Sequence, residues 1–115
     1  MINRSTWIRK FRDAMRGVKI AVRGEASFFV HFFAAAAVVL AAGVLECSRW
    51  QWCTLMLCIT VVLTAEAFNT ALEHLARSLH PERHPGIRDA LDMAAGAVLL
   101  ASIGAALVGA MVFLK

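Results

Sequence analysis

A chain of 115 residues, 60% of them hydrophobic and only 17% charged, is short enough for one domain and too apolar to fold as a water-soluble globule. Its net charge of +4 sits mainly in the first two dozen residues and not in a basic groove interleaved with aromatics, which points away from nucleic acid and towards anionic lipid headgroups. The three cysteines, Cys47, Cys53 and Cys58, are odd in number and form no CxxC, so they indicate neither a disulfide framework nor a zinc site.

From Ile8 to Val22, the apolar residues Ile8, Phe11, Met15, Val18 and Val22 recur at spacings of three and four. Arg12, Arg16, Lys19 and Arg23 follow the same rhythm one position later. That pattern predicts an amphipathic surface helix over about 5–24, apolar face in the bilayer interface and cations towards headgroups. Gly24 offers a bend before the apolar stretches begin. The basic segment is too long and amphipathic for a signal-peptide n-region, and two further spans would remain after cleavage, so the chain is read as uncleaved.

Three stretches then approach the roughly 20 residues needed to cross a hydrocarbon core. They run over about 28–45, interrupted only by His31, about 50–72, and about 93–114. The expected fold is therefore an all-α membrane protein, with residues 1–115 as a single domain built from a surface helix and three transmembrane helices. Seven of the twelve Lys and Arg precede the first span, and Arg77, Arg83 and Arg88 lie between the second and third. By the positive-inside rule, the N-terminus and the 74–92 loop face the cytoplasm. Small residues in the first and third spans, among them Gly96, Gly104 and Gly109, suit close helix packing and a bundle of more than one chain.

Against this apolar background stand Glu66, Asn69 and Glu73. On a helix these positions fall within an arc of roughly 60°, so they share one face. A carboxylate at membrane depth costs on the order of 3 kcal/mol and persists mainly where it meets a bundle interior, a partner or a metal. Glu25, Glu73 and Asp92 are expected at one interface, with Glu66 roughly 10 Å deeper than Glu73 by helical rise. Carboxylates at the water edge suit Mg²⁺, which takes one or two of them and completes its shell with water and phosphates. Withdrawing a carboxylate from water makes it a stronger base, which suits Glu66 to general-base work on a hydroxyl just below the surface. The bland alternatives are a protonated packing glutamate, solvated helix-end charges at Glu25 and Asp92, a solvated loop for His80 and His84, and a buried hydrogen-bonder for His31.

The run Glu66-Ala-Phe-Asn-Thr-Ala-Leu-Glu-His74, followed by His84-Pro85 and Asp92-Met-Ala-Ala-Gly-Ala-Val98, resembles the small prokaryotic diacylglycerol kinase and undecaprenol kinase family. Phe11-x-x-Ala14-x-x-Gly17, Glu25 and Phe-Val-His31 extend the resemblance over roughly residues 8–114. It implies a homotrimeric enzyme of the bacterial cytoplasmic membrane that transfers the γ-phosphate of ATP to a lipid hydroxyl. Carried over, Glu66 would be the general base, and Glu25 and Glu73 would hold the ATP-bound Mg²⁺. Asn69 would order the site; Asp13, Glu82, Arg83, His84 and Asp92 would lie around the nucleotide; and Ala26, Ser27, Phe28 and His31 would flank the lipid. No glycine-rich phosphate loop is present, as the resemblance leads one to expect.

Two positions depart from the family pattern. Leu91 stands where members usually carry a lysine against the transferring phosphoryl group, and Arg88, three residues earlier on the same helical face, is the candidate to supply that charge. Ser27 replaces an asparagine common in polyprenol-type members. The NTAxEH stretch, His31 and the AAGAV segment favour undecaprenol over diacylglycerol as acceptor. A catalytically silent membrane scaffold is the alternative that Leu91 raises, and a proton or ion carrier using Glu66 is a third.

Overall fold

The computed structural model describes residues 4–24, 26–79 and 84–114. Throughout them the regular structure is helical, in the order α1 (Arg4–Gly24), α2 (Ala26–Val44), α3 (Arg49–Leu79) and α4 (Pro85–Phe113). The all-α expectation is met. Two helices, α3 and α4, are long and apolar enough to cross a membrane, whereas the apolar part of α2, Phe28–Val44, is shorter.

The long helices outrun the expected spans at the same end of the molecule: α3 continues to Leu79 instead of stopping near 72, and α4 starts at Pro85 instead of 93. Hydropathy marks where lipid should end, not where the helix should. Between Arg49 and Leu79 there is neither glycine nor proline, and Glu73, Leu75, Ala76 and Arg77 are good helix formers, so α3 keeps winding beyond its apolar stretch. At about 1.5 Å per residue its 31 residues reach about 46 Å, well beyond a hydrocarbon core of about 30 Å.

The start of α4 has its own device. His84 is the N-cap, extended at φ −132° and ψ 123°, and its Nδ1 accepts a hydrogen bond from the Gly86 amide at 3.1 Å. Pro85 occupies the first turn, where its missing N–H costs nothing. His84 is thus exposed, as expected of a loop residue, while its ring also caps the start of α4.

The α2–α3 turn is tightly specified. Cys47 N–H donates to the Ala42 carbonyl at 3.0 Å and Glu46 N–H to the Gly43 carbonyl at 3.3 Å, which is the Schellman pattern, with Glu46 in the left-handed region at φ 52°. Ser48 and Gln51 then form a reciprocal capping box: Ser48 N–H donates to Gln51 Oε1 at 2.7 Å, and Gln51 N–H to Ser48 Oγ at 3.3 Å. Gln51 Nε2 also donates to the Val112 carbonyl at 3.1 Å, pinning the start of α3 to the end of α4.

Packing is unequal. The antiparallel α3–α4 pair carries most of the inter-helix contact, α2 rests more lightly on α3, and α1 touches α2 and α3 at few points. Among the described residues α2 and α4 do not pack directly on one another. The buried residues are few: Phe28, Ala42, Leu55, Glu66 and Thr70, with none on α4. A Cβ built at Gly96, Gly104 or Gly109 would meet nothing within 4 Å, so these glycines do not bring α4 close to its own chain. Such exposure of apolar helix faces is tolerable in lipid, where burying apolar surface supplies no hydrophobic driving force.

Candidate functional site

The polar residues of α3 are arranged in two steps along its length. Deeper in the apolar stretch lies Glu66, 2% exposed within a single chain. The helices of one chain bury Glu66 but leave Glu73 half-exposed, and α2 lays an imidazole against the Glu66 carboxylate. His31 Nε2 lies 3.4 Å from Glu66 Oε2, with the two side chains 19% and 3% exposed. His31 is held at this height by α2's aromatic face: Phe28, one turn earlier, is buried, and its ring lies 5.8 Å from that of Phe32 at a 39° tilt.

One to two turns further along α3, Asn69 Nδ2 donates to Glu73 Oε1 at 3.2 Å, and both residues are half-buried. The shared face expected of Glu66, Asn69 and Glu73 is therefore used as a ladder: one carboxylate sealed, the other at the edge and oriented by an amide. Among the described residues no group of three or more His, Cys, Asp or Glu is assembled to hold a metal ion. The donors at Glu73 and Asn69 are oxygens or able to present one, which suits a hard cation such as Mg²⁺ that completes its shell with phosphates and water and needs no protein cage.

The remaining candidate residues that are described lie on other helices. Asp13 is exposed on α1, and Arg88 and Asp92 are exposed in the first turns of α4, with Leu91 half-buried between them. Glu25, Glu82 and Arg83 lie outside the described residues, as do the side chains of Ala26 and Ser27. Of the lipid-flanking set, Phe28 is buried and His31 faces Glu66.

Two features escaped the sequence reading. One is the His31–Glu66 contact, although each stands out as an ionisable residue in an apolar run and such residues pair inside membranes. The other is a cavity of about 250 Å³ bounded by α2, α3 and α4, with His31 at its wall and Val38, Leu55, Cys58, Val62 and Ser102 among its lining. The Ser102 hydroxyl is buried there without a hydrogen-bond partner. A second, wider groove of about 660 Å³ separates α1 from α3, running past Phe68 and the partnerless hydroxyl of buried Thr70 to His74 and Ser78.

Residues 12–113 match the family model of prokaryotic diacylglycerol kinase. The chain is 32% identical over 108 residues to the undecaprenol kinase of Bacillus subtilis (strain 168), a match covering 94% of this chain and 88% of that protein. It is 38% identical over 100 residues to a diacylglycerol kinase of Synechocystis sp. (strain ATCC 27184 / PCC 6803 / Kazusa), covering 86% of this chain but 57% of the relative. No solved structure matches.

Proposed function

We propose a specific reaction for this chain, which belongs to the prokaryotic diacylglycerol kinase family and is a lipid kinase. The reaction is Mg²⁺-dependent transfer of the ATP γ-phosphate to the hydroxyl of undecaprenol, giving undecaprenyl phosphate. The observation that carries it is Glu66, a carboxylate sealed inside an apolar helix packing and braced by an imidazole, with a second carboxylate at the edge of the same helix face. A buried acidic group of this kind is retained where it does chemistry.

Glu66 takes the proton of the lipid hydroxyl, or orients that hydroxyl, as its oxygen attacks the γ-phosphorus in line with the departing ADP. Glu73, ordered by Asn69, and Glu25 are the residues that would hold the metal. Bound there, Mg²⁺ neutralises phosphate charge as the transfer proceeds. Asp13, Glu82, Arg83, His84 and Asp92 surround the nucleotide, and Arg88 supplies the cation that Leu91 lacks. Ala26, Ser27 and Phe28 flank the acceptor, and His31 stands beside them against Glu66. The enzyme works as a homotrimer with three spans per chain in the bacterial cytoplasmic membrane, its N-terminus and the 74–92 loop on the cytoplasmic side.

Undecaprenol is favoured over diacylglycerol by the NTAxEH and AAGAV segments, and by the near full-length match to a relative of that name. The test is phosphorylation of undecaprenol and of a short-chain diacylglycerol by purified protein in micelles, with Glu66→Gln beside it. Mg²⁺-dependent transfer that disappears in the variant is the expected result, with undecaprenol the better acceptor. Folded, oligomeric protein that phosphorylates neither lipid would instead support the silent scaffold suggested by Leu91, and ATP-independent proton flux would support a carrier.

A further inference from the structure

We infer that His31 is the positioning residue of this kinase: its Nε2–H holds the Glu66 carboxylate in place instead of contacting the lipid. The inference rests on the reading of Glu66 as the base.

An ionised carboxylate only accepts hydrogen bonds, and a neutral imidazole donates from one nitrogen alone. The 3.4 Å approach of Nε2 to Oε2 is a close polar contact, and the tautomer carrying its proton on Nε2 is the one able to donate to the Glu66 carboxylate across it. The environment makes the pairing matter. Glu66 is almost sealed from water, and the neighbouring cavity wall is largely apolar, with His31 and Ser102 among its polar groups.

The support is cross-helix. Glu66 belongs to α3, which is tied to α4, whereas His31 belongs to the more lightly attached α2, whose buried Phe28 and tilted Phe28–Phe32 pair set its rotation. In the transfer step the lipid O–H bond breaks and its proton passes to Glu66, while the lipid oxygen bonds to the γ-phosphorus. The bond from that phosphorus to the bridging oxygen breaks, and its electron pair leaves on ADP. Glu66 then releases the proton to water. His31 keeps its own proton throughout and fixes the angle from which Glu66 meets the hydroxyl.

The experiment compares kcat and the lipid KM of the wild-type protein, His31→Leu and His31→Gln in undecaprenol micelles, alongside ¹⁵N spectra of the histidine rings in the wild type and Glu66→Gln. His31→Leu is expected to lower kcat by about 10- to 100-fold, in the range found for residues that orient a reactive group, with KM changed by less than about 2-fold. His31→Gln, which keeps a donor, is expected to recover most of that loss. The His31 ring nitrogens are expected to shift in Glu66→Gln.

A raised KM with kcat intact in His31→Leu would assign His31 to the lipid and overturn the inference, as would His31→Gln performing no better than His31→Leu. Ring resonances identical in the wild type and Glu66→Gln would overturn it even if both His31 variants fail to fold. Absence of any lipid phosphorylation by wild-type protein would be a different failure, that of the kinase reading itself.

Discussion

The two ends of α3 use polar residues in opposite ways. At its start Ser48 and Gln51 are consumed by the backbone: they cap each other's amides, and Gln51 reaches the Val112 carbonyl. Over 66–73 the side chains turn to one another or to another helix, Asn69 to Glu73 and Glu66 to His31. The first arrangement satisfies groups that any helix end leaves open. The second keeps acidic groups in places where an apolar side chain would pack more cheaply. On the proposed function the difference separates what holds the helices from what reacts, and the two ends should then fail differently when mutated.

The largest effect belongs to the reactive end. Glu66→Gln should lower kcat by about 10²- to 10⁴-fold, as loss of a general base does, with helix content by circular dichroism unchanged. Arg88→Ala should lower turnover by about 10-fold or more if Arg88 supplies the phosphate-directed charge, and Leu91→Lys in that background should restore it. Unchanged turnover in Arg88→Ala would remove Arg88 from the site.

At the other end the sign and size change. Ser48→Ala should destabilise the protein by about 1 kcal/mol in detergent unfolding while kcat and KM stay at wild-type values. Smallest of all, Glu46→Gly should stabilise by up to about 1 kcal/mol, since a left-handed residue with a Cβ carries strain that glycine relieves, partly offset by glycine's greater freedom when unfolded. Activity losses in either turn variant would erase the distinction between the two ends.

Much of this was readable in the residues. The three-and-four spacing of apolar residues in α1 and the apolar runs of α2, α3 and α4 marked all four helices, and the arc shared by Glu66, Asn69 and Glu73 is realised in the Asn69–Glu73 hydrogen bond. The helices run past the expected spans because hydropathy reports the solvent a segment prefers, whereas the extension to Leu79, just before the proline-bearing 80–86 segment, and the start at Pro85 follow from helix propensity and from a histidine N-cap. The His31–Glu66 contact joins α2 to α3, and the angle at which two helices meet is not encoded in the periodicity of either. The positive φ of Glu46 was invisible for a local reason: the residue that usually marks this cap is glycine, and here it is absent.

The brevity of the α2–α3 turn bears on how the chain enters a bilayer. Residues Leu45 to Ser48 connect helices whose terminal amides and carbonyls near the turn are already engaged, so little unsatisfied backbone would have to be carried through hydrocarbon. The charges beside the turn are Glu46 and Arg49, of opposite sign. In the proposed three-span topology a helical pair joined in this way would cross as one closed hairpin, with the basic residues of α1 staying on the side from which synthesis delivers them.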